Sequence, residues 1–98
     1  MNPSLDDIRR DLLSELPKLR EEWSLATIQL FGSRVRNDAR PDSDLDVLVT
    51  FERPPSLFRF IDLEHYLTDR LGVRVDLVLR DMLKPRIGKR ILAEAVGL

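Results

Sequence analysis

Two acids, Asp44 and Asp46, open the run Asp44-Leu45-Asp46-Val47-Leu48-Val49-Thr50-Phe51, and a Gly32-Ser33 pair precedes them with ten residues between. The apolar, β-branched character of the run predicts a strand. Residues two apart on a strand face the same way, so Asp44 and Asp46 project side by side while Leu45 points into a core. Two carboxylates held that close repel, and a hard cation such as Mg²⁺, which prefers oxygen ligands, relieves the repulsion.

The residues before Gly32, Ser24 to Phe31, form a second β-branched and apolar stretch. It predicts a strand that ends where glycine lets the backbone turn. Ser33 then opens a short helical turn, where backbone N–H groups, a small hydroxyl and the helix dipole face one spot suited to an anion. The stretch from Asn37 to Ser43 has loop chemistry. A third strand is predicted over Val73–Leu79, and it carries Asp76 among Val and Leu. An ionised acid buried there needs a cation or donors nearby, and pairing this strand with the one bearing Asp44 and Asp46 completes a three-carboxylate site. Asp76 could equally be an exposed residue of an edge strand, or pair with Arg74 or Arg80. Three acids beside a phosphate cradle suggest metal-assisted phosphoryl or nucleotidyl transfer.

The segment Leu30-Phe31-Gly32-Ser33-Arg34-Val35-Arg36 through Asp44-Leu45-Asp46, with Asp76, resembles the minimal nucleotidyltransferases of the DNA polymerase β superfamily. Their signature is a Gly-Ser pair, ten residues and Asp-x-Asp, and the likeness extends over nearly the whole chain to the segment Pro85–Leu92. Where family members often carry glycine after the position of Arg36, this chain has Asn37, the residue best able to replace glycine at positive φ. The resemblance implies a two-metal mechanism in which Asp44 and Asp46 hold Mg²⁺ and Gly32 and Ser33 hold the β and γ phosphates of ATP. It further implies that Asp76 binds the second metal and helps deprotonate the attacking hydroxyl. Stand-alone proteins of this kind commonly act as antitoxins beside a HEPN-domain ribonuclease toxin, moving AMP from ATP onto a toxin tyrosine. The alternative is an antitoxin that acts by stable binding with a weak or inactive nucleotide site. Transfer to a small molecule or to RNA ends is a third reading, disfavoured by the absence of an evident acceptor domain.

Around this motif the expected architecture is a single α/β nucleotidyltransferase domain, 1–98, with a small mixed β-sheet flanked by helices, as in polymerase β relatives. Ser4 caps a first helix bearing Leu5, Ile8, Leu12, Leu16 and Leu19, in which Pro17 predicts a kink or an early end. A later helix runs from Ser56 to Leu71, with Leu57, Phe60, Ile61, Leu63, Leu67 and Leu71 inward and Gly72 as its stop. His65 on that helix is expected to be a surface or packing residue. Arg34 and Arg36 can each reach a phosphate or pair with Asp38 or Asp42, and Arg36 is the better phosphate ligand. The closing helix sets Arg86, Lys89 and Arg90 beside Ile87, Ile91 and Leu92, a face that is either solvated or docks an acidic partner.

Composition excludes several classes. Sixteen basic and seventeen acidic side chains leave a net charge of −1, which disfavours a chain built for direct nucleic-acid binding. Without cysteine there is no disulfide framework and no thiolate zinc site. An EF-hand beginning at Asp42 fails, because Val47 and Arg53 stand where it needs Gly and Glu. A polar, acidic N-terminus and the lack of a membrane-length apolar run lead to an expected cytoplasmic location without membrane association.

Overall fold

Ser4 starts the first helix, α1 (Leu5–Trp23), with a capping box: its hydroxyl accepts from the Asp7 N–H at 3.1 Å while its own N–H donates to Asp7 Oδ2 at 3.3 Å. The computed structural model of the chain describes residues 3–37, 40 and 43–98. α1 is followed by strand β1 (Leu25–Phe31), a four-residue helix α2 (Ser33–Arg36) and strand β2 (Leu45–Phe51). Helix α3 (Leu57–Leu71), strand β3 (Val75–Leu79), a single 3₁₀ turn (Arg80–Met82) and helix α4 (Pro85–Glu94) complete the order. The succession of helices and strands is the one the sequence predicts, with the 3₁₀ turn added.

The sheet has the order β1-β2-β3 and is mixed. β1 and β2 run antiparallel, with Ile28 opposite Val49 and Phe31 opposite Asp46. β2 and β3 run parallel, with Asp46 opposite Asp76. A parallel pair needs a long crossover, and α3 supplies it. Ser56 caps that helix by accepting from the Arg59 N–H at 3.1 Å, and Gly72 ends it at φ 71°.

The two long helices cover one face of the sheet. Ile8, Leu12 and Leu19 of α1 and Leu63, Leu67 and Leu71 of α3 pack with Leu45, Val47 and Val49 of β2 into one buried cluster. By strand alternation Asp44 and Asp46 therefore belong to the opposite face. Between the helices, the Tyr66 hydroxyl and Arg70 Nε donate to the two carboxylate oxygens of Glu15, each at 2.7 Å.

Both sheet edges are covered, which blunts the tendency of an open edge to pair with another chain. Along β3, the Val75 N–H donates to Thr68 Oγ1 at 3.0 Å and the Leu77 N–H to Glu64 Oε2 at 2.9 Å, so side chains of α3 act as the missing neighbour. Along β1, Val96 exchanges two backbone hydrogen bonds of 2.8 Å with Leu30.

Three expectations need correction. Pro17 does not end α1, a helix of 19 residues that continues through it. The hydrogen bond that proline removes is the one to the Leu13 carbonyl, and both residues are exposed, so water can solvate that carbonyl while Leu12 and Leu19 keep the helix on the core. Leu57 and Ile61 are not buried: Leu57 is 70% exposed, and it overhangs an open apolar groove of about 540 Å³ lined also by Phe60, Leu77, Leu79 and Leu83. Only the C-terminal half of α3 lies fully over the sheet. His65 is exposed, as expected.

Restoring the lost hydrogen bond should stabilise the chain: Pro17→Ala is expected to add about 1–2 kcal/mol, the helix gain exceeding the entropy returned to the unfolded chain. Urea unfolding followed by circular dichroism measures it, and a lower midpoint would contradict the account.

Candidate active site

β1 delivers the chain to Gly32, whose φ of 85° and ψ of −162° lie where a side chain is strained. Space excludes one as well. A Cβ at Gly32 would collide with Oδ2 of Asp46 and lie 2.9 Å from its Cγ. The turn that begins the anion cradle and the acid of the neighbouring strand are therefore in close contact, and Gly32 is what lets them approach.

From Gly32 the four residues of α2 wind with the Val35 and Arg36 N–H groups both donating to the Gly32 carbonyl at 3.1 Å. Asn37 then takes the left-handed conformation at φ 63°, and its N–H closes the turn on the Ser33 carbonyl. Asparagine thus fills the position in the manner expected of a glycine substitute.

Arg34 has a role the sequence did not suggest. Its Nε and Nη2 both donate to the Ser43 carbonyl, at 3.0 and 2.7 Å, so it clamps the end of the loop just before Asp44. The expected alternatives of Asp38 and Asp42 as partners lie outside the described residues. Arg36 donates Nη1 to both oxygens of Glu94, at 3.1 and 3.2 Å. Glu94 also accepts from the Gly32 N–H at 3.1 Å. No motif reasoning pointed to Glu94, which lies at the end of α4.

The three acids are placed differently from one another. Asp46 and Asp76 are register partners on adjacent parallel strands. Burial comes first among the causes that lift the Asp46 carboxyl to about 6, with the charges of Asp76 and Asp44 next; Arg36 opposes the rise. Asp76 is exposed, because β3 is an edge strand and its acid faces away from the helices. Of the two readings of Asp76, the exposed residue of an edge strand is the one found, and the desolvated carboxylate is Asp46. Asp44 leans toward Arg74, at 3.7 Å, and Arg74 is 81% exposed. Such a surface pair contributes little and is readily given up. Among the described residues no three acid, histidine or cysteine side chains are drawn into a ready-made metal cage. The donor set nonetheless suits a hard cation, since it is all oxygen and its central acid is destabilised by negative neighbours.

A family model described as a nucleotidyltransferase domain matches residues 14–98. The chain belongs to the nucleotidyltransferase domain family. Within it, this nucleotidyltransferase is 47% identical over 93 residues to the protein adenylyltransferase MntA of Thermococcus cleftensis, covering 95% of this chain and 94% of that one. A solved structure described as a candidate minimal nucleotidyltransferase superposes with a TM-score of 0.83 at 38% identity, covering 98% and 97% of the two chains. The same fold also recurs in a structure described as a tri-AMPylated Shewanella oneidensis HEPN toxin in complex with MNT antitoxin. There the TM-score is 0.68 at 20% identity, with 92% of this chain and 70% of that one covered, a likeness of fold alone. No described helix of the nucleotidyltransferase is long and apolar enough to cross a membrane.

The raised Asp46 carboxyl gives a signed pH dependence. Folded, the group binds its proton more tightly than in the unfolded chain, where 3.8 applies, so stability falls as pH rises from about 4 to about 6 and then levels. Asp46→Asn removes the charge, so at pH 7.5 without divalent metal it should raise Tm by about 2–6 °C and flatten the pH dependence. Scanning calorimetry across pH 4–8 tests this; a variant that melts below wild type at pH 7.5 would count against it.

Proposed function

We propose that this nucleotidyltransferase moves AMP from ATP to a hydroxyl of a partner protein, and that the partner is a HEPN-domain toxin silenced by modification of a tyrosine. The observation that carries the chemistry is the register pairing of Asp46 with Asp76 beside the Gly32 turn. The kinship with an MntA protein adenylyltransferase supports the acceptor class, and the HEPN toxin–MNT antitoxin complex supports the partner.

In this reading Asp44, Asp46 and Asp76 hold Mg²⁺, and Gly32, Ser33 and Arg36 hold the β and γ phosphates. Bound Mg²⁺ would supply charge neutralisation for the triphosphate and for the departing pyrophosphate. The chain's own residues do the rest. The Gly32 turn and Arg36 orient the triphosphate, and Asp76, the exposed acid of the set, accepts the proton of the attacking hydroxyl. A bond forms from the acceptor oxygen to the α phosphorus, the bond from that phosphorus to the β-bridging oxygen breaks, and pyrophosphate leaves. The exposed basic face of Arg86, Lys89 and Arg90, with half-exposed Ile87, is a candidate docking surface for an acidic region of the partner.

Incubating the purified chain with α-labelled ATP, Mg²⁺ and a HEPN partner should place label on a tyrosine of that partner. Asp44→Ala combined with Asp46→Ala should reduce transfer by at least about 10³-fold, the scale of losing the charge-stabilising apparatus of a phosphoryl-transfer site. Label transfer that survives the double substitution would reject the assignment. Suppression of toxicity that survives while label is lost would favour neutralisation by binding.

A further inference from the structure

Gly32 and Arg36 share one partner outside the motif. Leu30 lies on β1 and Gly32 one residue beyond its end, and the N–H groups of both are taken up by the C-terminal segment. The first donates to the Val96 carbonyl at 2.8 Å and the second to Glu94 Oε1 at 3.1 Å. The carboxylate of Glu94 is thus the last rung of the tail-to-β1 ladder, at the point where the backbone leaves the sheet to become the cradle. The same carboxylate takes Arg36 Nη1 on both oxygens, and Glu94 is only 31% exposed.

The consequence for the cradle is mechanical. A helix of four residues has almost no cooperative stability of its own, so α2 cannot by itself fix where Arg36 points. Gly32 is buried, and losing the acceptor for its N–H would leave an unsatisfied donor at the turn that touches Asp46. Charge-assisted contacts of the kind Arg36 makes are the stronger class of hydrogen bond and set geometry as well as energy. Both ends of α2 are anchored on one side chain, held in place by α4 and by the Val96 bridge.

We infer that Glu94 is a positioning residue of the nucleotide site, holding the Gly32 turn and the Arg36 guanidinium in the arrangement that receives the triphosphate. The inference rests on the proposed phosphate role of Gly32, Ser33 and Arg36. It makes the end of α4 part of nucleotide binding, 62 residues away in sequence from the turn it supports.

Glu94→Gln retains an oxygen for the Gly32 N–H but loses the charge that holds Arg36. The expected result is a KM for ATP raised about tenfold with kcat changed less than about twofold, the mark of an interaction that acts on binding. Inorganic tripolyphosphate, titrated by calorimetry, should bind about tenfold more weakly to the variant, a readout independent of AMP transfer. Arg36→Gln should show the same loss, with Glu94→Gln adding nothing further on top of it. Unchanged KM and tripolyphosphate affinity, or a fall in kcat at constant KM, would overturn the inference while leaving the transferase assignment standing. A wild-type chain that binds no tripolyphosphate and transfers no AMP would overturn both. Should Glu94→Gln fail to fold, the wild-type protein answers by NMR. Tripolyphosphate should shift the amides of Glu94 to Val96 together with that of Gly32, and shifts confined to Gly32 and Ser33 would overturn the inference.

Discussion

The contact between the Asp46 carboxylate and the bare backbone of Gly32 joins the two halves of the site. One half is a turn that needs positive φ, and the other is an acid whose burial and acidic neighbours lift it to about 6. Neither is a comfortable local structure. The core on the far face of the sheet holds both, because Leu45 and Val47, on either side of Asp46, are completely buried under α1 and α3. The register that seats those residues leaves Asp46 facing Asp76, since a slip of one residue would exchange acids for core. Folding thus stores the cost of a desolvated carboxylate beside two acidic neighbours, a cost that a bound cation would relieve.

Much of this was legible in the sequence because it is local. Gly32-Ser33, the loop chemistry around Asn37 and the alternation through Asp44, Leu45 and Asp46 each specify their own backbone. The capping residues Ser4, Ser56 and Gly72 did the same for the helices. What local pattern could not convey was position within the sheet. Asp76, set among Val and Leu, reads equally as a buried acid or as an exposed residue of an edge strand, and only the order β1-β2-β3 decides for the edge and puts the cost of burial on Asp46 in the centre. The same limitation misplaced Leu57 and Ile61, whose helical spacing is correct but whose turn of α3 reaches beyond full cover. Pro17 misled for the opposite reason: a real local cost was overridden by the tertiary burial of Leu12 and Leu19.

Long-range partners were the least visible. Arg34, a candidate phosphate ligand or half of an ion pair, holds a backbone carbonyl at Ser43, a partner with no motif signal. Glu94 carries no motif signal at all, because its importance comes from a tail that folds back along β1. The family resemblance covers the chemistry of the motif, whereas the supports around it are visible only once the chain is folded.

The raised Asp46 carboxyl, lifted first by burial and then by Asp76 and Asp44, is the central feature of the site, and carboxyl NMR titration of that residue measures it directly. The predicted midpoint is about 6 without divalent metal, falling well below that in saturating Mg²⁺. A midpoint near 3.8 without metal, or one that Mg²⁺ leaves unmoved, would contradict it.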